Sequence, residues 1–206
     1  MNKLKIAVLI LSALLCIRCE KQDPGEIILF TGSSTISRWT TLTEDFAGFD
    51  VINTGVGGTS LKYVLDNIET LIFRYTPSQI VLYTGDNDPK YYDDEAFRNY
   101  MDEFITILYK KLPNVHLIFL SLKPGVLRTD IHYHYTGYNT YMQGIAQYNP
   151  QIDYVDIWTP LIKEGDGNPE YFEDDNLHLN RKGYLLARGL LIPCLLKNIS
   201  DTNPSL

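Results

Sequence analysis

Two short segments of the sequence carry side chains that could perform nucleophilic chemistry. Gly32-Ser33-Ser34 follows an apolar run, so a glycine turn would expose a hydroxyl where a helix begins. Asp175 and His178 are three residues apart, close enough for the carboxylate to orient the imidazole and stabilise its protonated form. Each segment alone has a simpler explanation, because serine is a preferred helix N-cap and a lone histidine near a helix start is more often structural. Together they indicate a hydroxyl nucleophile with a base and an orienting acid.

Two further loops could donate hydrogen bonds to a negatively charged oxygen. The segment Asn53–Ser60 contains three glycines, which let backbone N–H groups approach a ligand closely. A tight turn or a phosphate-binding loop would use the same glycines. In Thr84–Asp88 a glycine turn presents Asn87, whose amide can donate, although asparagine is also common in ordinary turns. Neither loop is specific by itself.

All four loops fall between the elements of a predicted α/β fold. The strands are mostly continuous apolar runs, as expected for parallel strands covered on both faces: Ile27–Thr31, Asp50–Asn53, Gln79–Thr84, Val115–Leu120 and Ile152–Ile157. Helical spacing of apolar residues predicts Leu61–Tyr75, Asp94–Leu112, Tyr138–Tyr148 and Arg181–Lys197. The alternation predicts a three-layer α/β/α sandwich with a parallel central sheet of about five strands. Ligands bind beyond the carboxyl ends of such strands, where the four loops would meet.

In their order along the chain, the four segments resemble the sequence blocks of the SGNH/GDSL hydrolases, a family with a flavodoxin-like sheet. Those blocks are Gly-Asp-Ser, a glycine after the second strand, Gly-x-Asn-Asp after the third, and Asp-x-x-His near the C-terminus. The resemblance extends over residues 27–196. It implies that Ser34 is the nucleophile, with Ser33 in place of the usual aspartate, and that Asp175 and His178 complete a catalytic triad.

The resemblance also implies acyl transfer that needs no cofactor. Ser34 would pass its proton to His178 and attack an ester carbonyl, and water would then release the acyl group. The oxyanion would be held by the backbone N–H groups of Ser34 and Gly58, with Gly57 as a near alternative. The side-chain amide of Asn87 would be the third donor.

The sequence leaves the substrate open. A small acyl ester, such as an acetyl ester on a carbohydrate, is the first expectation because no lid domain is evident. Five tyrosines could line a sugar-binding rim or simply pack in the core and on the surface: Tyr91, Tyr92, Tyr133, Tyr135 and Tyr138. The alternatives are a lipase or thioesterase for longer acyl chains and a catalytically idle glycan-binding protein. A flavin- or phosphate-binding module would leave Asn87, Asp175 and His178 without a role.

Charge and composition exclude other classes of partner. The net charge is −7 and no Lys/Arg-rich block is present, so a nucleic-acid partner is not expected. A metal site is not favoured either, because His132 and His134 lie in a segment of their own. Residues 26–206 are predicted to form one domain, in which Cys194 is a buried small hydrophobe without a disulfide partner.

The N-terminus predicts export. Two lysines precede the apolar run Ile6–Leu15, which is too short to span a bilayer comfortably, so residues 1–19 are interpreted as a secretion signal. Cys19 is followed by a polar stretch, residues 20–25, that resembles a lipoprotein tether. We therefore expect lipidation at Cys19, with simple cleavage and release as the alternative.

Overall fold

A computed structural model describes residues 26–202, with side chains described up to residue 195. The predicted signal (residues 1–19), the lipidation site Cys19 and the tether (residues 20–25) lie outside the described residues. Within residues 26–202, no helix combines the length and the apolar character needed to cross a bilayer.

Five parallel strands form the centre of the domain: β1 (Ile27–Gly32), β2 (Asp50–Asn53), β3 (Gln79–Tyr83), β4 (His116–Leu120) and β5 (Ile152–Val155). Their order is β2-β1-β3-β4-β5, and every neighbouring pair is parallel. The flanking helices are α1 (Ser34–Ser37), α2 (Leu42–Asp45), α3 (Leu61–Asp66), α4 (Ile68–Leu71), α5 (Asp94–Lys111), α6 (His132–Tyr148) and α7 (Arg181–Thr202). A small antiparallel pair, β6 (Ile162–Lys163) and β7 (Asp166–Gly167), precedes α7. The predicted α/β sandwich with a parallel five-stranded sheet is confirmed.

The apolar runs of the sequence form the buried strands of the sheet. In β1, Ile28, Leu29 and Phe30 are fully buried between neighbouring strands and the covering helices. Gly32 ends this strand with φ +127°, and a Cβ there would lie 1.8 Å from the carbonyl oxygen of Tyr83. Only glycine fits at this turn, which lets the chain leave the sheet and enter α1.

The predicted helix Leu61–Tyr75 is in fact interrupted. It consists of α3, α4 and a 3₁₀ turn at Phe73–Tyr75, with a break at Asn67. Both the backbone N–H and the side-chain amide of Asn67 donate to the carbonyl of Tyr63. An asparagine side chain that competes with the backbone N–H groups for a helix carbonyl favours the end of the helix. The helix therefore breaks at Asn67, although apolar residues continue at helical spacing after this position.

Two further details differ from expectation. Helix α6 begins at His132 rather than at Tyr138, because Tyr135 is buried in the core and holds a segment whose residues have low intrinsic helix propensity. Cys194 is only half-buried, and its Sγ donates to Oδ2 of Asp153 at 3.3 Å. The sequence predicted that Cys194 is a buried small hydrophobe, whereas the residue is partly exposed and its thiol forms a hydrogen bond with Asp153.

Candidate active site

The structure brings Ser34, His178 and Asp175 into one line of hydrogen bonds. Nε2 of His178 lies 3.1 Å from Oγ of Ser34, and Nδ1 lies 2.6 Å from Oδ2 of Asp175. Ser34 is the first residue of α1, directly beyond the carboxyl end of β1, whereas Asp175 and His178 lie in the loop before α7. This is the geometry in which an imidazole accepts a proton from a hydroxyl while a carboxylate fixes its orientation.

The carboxylate of Asp175 is held in its ionised form. Desolvation acts to raise the pKa of Asp175, but hydrogen bonds from the His178 ring and from the backbone N–H groups of His178 and Leu177 outweigh it. The pKa therefore lies well below the ordinary range. Oδ1 accepts both backbone N–H groups at 2.9 Å, which leaves Oδ2 for the imidazole. An ionised carboxylate in this position can stabilise an imidazolium.

The loop that carries His178 is folded back on itself. The backbone N–H of Glu173 donates to the carbonyl of His178 at 2.8 Å, and Asn176 adopts a left-handed conformation with φ +55°. Phe172 and Leu179 form an isolated antiparallel bridge across the base of the loop. These contacts fix the imidazole opposite α1.

Ser33 lies beside the nucleophile position but faces the interior. It is fully buried, and its Oγ donates to Oδ1 of Asp86 at 2.8 Å. In the blocks quoted above, the carboxylate stands at the position of Ser33. In this chain the side chain at that position is a hydroxyl, and the carboxylate it contacts belongs to Asp86, in the loop after β3.

A buried lysine accompanies that carboxylate and was not singled out from the sequence. Nζ of Lys123 lies 3.4 Å from Oδ2 of Asp86 and donates to Thr35 Oγ1 at 2.9 Å and to the Tyr83 hydroxyl at 3.1 Å. Burial lowers the pKa of Lys123, and the charge of Asp86 opposes that shift. The only sequence signal was a lysine just beyond the carboxyl end of an apolar strand, β4. This buried ion pair joins the loops after β1, β3 and β4.

The glycine loop passes close to Ser34 at Gly57. A Cβ on Gly57 would lie 4.0 Å from the Cβ of Ser34 and 3.5 Å from Oγ of Ser37. A Cβ on Gly58, which has φ +78°, would meet nothing within 4 Å. Both glycines are exposed at this edge of the sheet, so a ligand can approach their backbone.

Asn87 is tied to the same loop. Its side-chain nitrogen donates to the carbonyl of Thr59 at 3.1 Å and lies 3.2 Å from Oδ1 of Asp86. The side chain is 4% exposed, so the amide is almost withdrawn from water. The glycine loop and Asn87 therefore form one unit next to the nucleophile position.

Asp88 anchors the beginning of α3. Both of its carboxylate oxygens lie 3.1 Å from the backbone N–H of Leu61, and the residue is fully buried. Burial raises the pKa of Asp88 to about 7, with the N–H of Leu61 opposing the shift and the charge of Asp86 adding to it. The carboxyl therefore titrates near neutrality.

The five candidate rim tyrosines separate into two groups. Tyr135 and Tyr138 are each 1% exposed and belong to the core, which excludes them from a rim. Tyr91 and Tyr133 are more than half exposed, and Tyr92 is half-buried and packs edge-on against Tyr100.

The histidines of α6 form local structural contacts. Nε2 of His132 lies 3.0 Å from the carbonyl of Gly125, and Nδ1 of His134 lies 2.6 Å from Asp94. In the described part of the chain, no group of three or more His, Cys, Asp or Glu side chains is arranged to hold a metal ion.

An open groove of about 430 Å³ borders His178. Its lining combines hydroxyl and charged side chains with the apolar surface of Leu179 and Tyr184; the polar residues include Ser37, Arg38, Thr40, Thr41 and Glu173. Nη1 of Arg38 lies 3.9 Å from Oδ2 of Asp175, so the groove is continuous with the candidate triad. Hydroxyl and charged groups of this kind suit a hydrophilic ligand.

Comparisons with known proteins point to one family. The sequence model of the GDSL-like lipase/acylhydrolase family matches residues 23–186. No curated protein matches the chain.

Several solved structures share the fold. A Bacteroides fragilis protein assigned as an acylhydrolase is 18% identical with a TM-score of 0.75, covering 86% of this chain and 90% of that one. The C-terminal catalytic domain of Streptococcus pneumoniae peptidoglycan O-acetyltransferase A is 18% identical with a TM-score of 0.65, covering 84% and 94%. An acetylxylan esterase from Geobacillus stearothermophilus is 17% identical with a TM-score of 0.64, covering 87% and 96%.

Proposed function

Because the chain belongs to the GDSL-like lipase/acylhydrolase family, we propose that it is a serine esterase whose triad is Ser34, His178 and Asp175. The observation that carries the proposal is the continuous line of hydrogen bonds from Ser34 through His178 to Asp175. A nucleophile, a base within hydrogen-bonding distance and a third group orienting the base together fit nucleophilic acyl transfer.

In the proposed first half-reaction, the Ser34 hydroxyl attacks the ester carbonyl while its proton moves to Nε2 of His178. His178 then gives this proton to the leaving alcohol, and the acyl group stays on Ser34. In the second half-reaction, His178 takes a proton from the water that attacks the acyl-enzyme, and it returns this proton to Oγ of Ser34 as the acid leaves. The ionised carboxylate of Asp175 stabilises the imidazolium in both halves.

The proposed oxyanion hole consists of the backbone N–H groups of Ser34 and Gly58 and the side-chain amide of Asn87. Ser34 is the first residue of α1, where a backbone N–H has no acceptor within the helix. The approach of the glycine loop to Ser34 at Gly57 supports this assignment and keeps Gly57 as the alternative donor. Donors fixed before the reaction stabilise the charge that develops on the carbonyl oxygen.

We further propose that the substrate is a short acyl, such as acetyl, ester of a hydrophilic alcohol. The hydroxyl and charged side chains of the groove beside His178 support this, because they can form hydrogen bonds with the hydroxyl groups of a carbohydrate. A strongly apolar groove lies elsewhere, on α5 and α6 around Tyr141, Ile145 and Tyr148. The two structural relatives whose names refer to acetyl groups act on acetylxylan and peptidoglycan, which agrees with this class of substrate.

Export remains part of the proposal. A secretion signal over residues 1–19 and lipidation at Cys19 would place the enzyme outside the cytoplasm, where polysaccharide esters are found.

The experiment that tests the proposed function is a panel of p-nitrophenyl esters running from acetyl to long-chain acyl, extended to acetylated xylan and peptidoglycan. We expect kcat/KM to be highest for the acetyl ester and the Ser34→Ala variant to be inactive throughout. A preference for long acyl chains would contradict the proposed substrate. A folded protein that hydrolyses no ester but binds glycans would instead support the idle binding protein.

A further inference from the structure

We propose that Arg128 is a positioning residue for the oxyanion amide, because it holds the Asn87 side chain with its nitrogen toward the glycine loop. This inference rests on the proposed function of Asn87 as an oxyanion donor. Arg128 lies in the 3₁₀ segment Val126–Ile131, between β4 and α6, outside all four sequence blocks.

Arg128 contacts two consecutive residues of the loop after β3. Nη2 donates to Oδ1 of Asn87 at 3.1 Å, and Nη1 donates to the backbone carbonyl of Asp86. Nη1 also donates to the hydroxyl of Tyr135 at 3.1 Å, and that hydroxyl donates to the same Asp86 carbonyl at 2.6 Å. A planar guanidinium makes these contacts from two fixed nitrogens, an arrangement that the single nitrogen of an ammonium group does not reproduce.

These contacts decide which way the amide faces. A guanidinium has hydrogen-bond donors and no acceptor, so the group of Asn87 that faces Arg128 must be its oxygen. The nitrogen must then face the opposite way, where it donates to the carbonyl of Thr59 in the glycine loop. A flipped amide would direct its oxygen toward the place where negative charge develops and would raise the barrier instead of lowering it.

The segment that carries Arg128 is attached to the other half of the site as well. The backbone N–H of Leu127 donates to the carbonyl of Asn176 at 2.9 Å. A Cβ on Gly125 would lie 3.3 Å from a methyl group of Leu177, so the segment packs against the loop between Asp175 and His178. The segment therefore connects Asn87 with the loop that carries Asp175 and His178. Arg128 is the residue of this segment that contacts Asn87.

The direct consequence concerns the chemical step. Without Arg128, the oxygen of the almost fully buried Asn87 amide loses its donor, and only the contacts of its nitrogen with Thr59 and Asp86 still hold the amide in place. Misplacement of a catalytic group by about 1 Å can cost about 100-fold in rate, and loss of one oxyanion donor about 10²–10³-fold. We expect Arg128→Met to lower kcat by roughly 10- to 100-fold with little change in KM.

A double-mutant cycle separates positioning from a general effect on stability. Turnover of p-nitrophenyl acetate is measured for the wild type, Arg128→Met, Asn87→Ala and the double variant, each with its melting temperature. If Arg128 acts through Asn87, its replacement has almost no further effect on kcat once the amide is gone. Arg98→Met is the matched control, because Arg98 lies over the ring of Tyr141, away from the triad.

Each outcome bears on the proposal. Equal losses of kcat from Arg128→Met in the wild-type and Asn87→Ala backgrounds, or an unchanged kcat in a folded Arg128→Met, would overturn it. If Arg128→Met does not fold, Arg128→Lys takes its place in the cycle, and wild-type kcat in that variant would overturn the proposal equally. A wild-type protein with neither turnover nor fluorophosphonate labelling would overturn the proposed function itself, and this inference with it.

Discussion

The buried ion pair between Lys123 and Asp86 gives a prediction about stability that depends directly on the geometry. The two side chains are 1% and 4% exposed, and Nζ lies 3.4 Å from the carboxylate. Replacing Lys123 with methionine keeps most of the apolar stem and removes the charge. Asp86 then stays buried with Ser33 and Tyr83 as its remaining hydroxyl neighbours, but its carboxylate loses the contact with the ammonium group of Lys123.

The expected loss can be worked out in two ways. Two unit charges at this separation attract by about 5 kcal/mol when the effective dielectric constant is about 20. Breaking a buried pair by removing one partner typically costs about 3–5 kcal/mol, because the remaining charge is uncompensated. We therefore expect Lys123→Met to lower the free energy of unfolding by about 3–5 kcal/mol and the melting temperature by roughly 10 °C.

Urea unfolding followed by tryptophan fluorescence measures this loss, since Trp39 is buried in the core. Lys62→Met is the matched control, because Lys62 forms an exposed i,i+4 pair with Asp66 and should contribute far less. The double variant Lys123→Met/Asp86→Asn should recover much of the stability, since the unpaired charge has gone. A loss of stability in Lys123→Met no larger than in the control, or no recovery when Asp86 is neutralised, would show that the ion pair does not stabilise the fold.

Two further predictions concern Asn87 and Asp88. Asn87→Ala should lower kcat by about 10²–10³-fold with little change in KM, as steady-state kinetics would show, whereas a stable variant with normal turnover would exclude an oxyanion role. Burial raises the pKa of Asp88 from 3.8 to about 7, so the folded protein retains a proton that the unfolded chain has released. Stability should therefore fall as the pH rises from about 4 to about 7, by at most about 4 kcal/mol, and Asp88→Asn should remove this slope in urea titrations at several pH values. An unchanged slope would show that another group is responsible.

The strands and the loops between them could be predicted because the signals are local. Continuous apolar runs marked β1, β3 and β4, and each candidate residue lay directly after such a run or before a helix. Helices α1 and α2 could not be predicted in the same way, because four residues are too short to show a helical period.

The contacts between loops were beyond the sequence for a different reason. Asp86 contacts Ser33 and Lys123 only because β3 lies between β1 and β4 in the sheet. The sequence pattern of a single strand does not predict this order. Arg128 lies in an irregular turn without periodicity, and its partner Asn87 is 41 positions away. The contacts of such residues are known only from the folded structure, in which the loops lie side by side.

The site at which a fluorophosphonate labels the protein shows whether Ser34 is the nucleophile. The probe should modify the wild type at Ser34, and Ser34→Ala should lose both labelling and esterase activity while keeping its melting temperature. Ser33→Ala is the matched control, since Ser33 is buried and directed toward Asp86, and it should retain a substantial fraction of both. Labelling at Ser33, or esterase activity that survives in Ser34→Ala, would show that Ser34 is not the nucleophile.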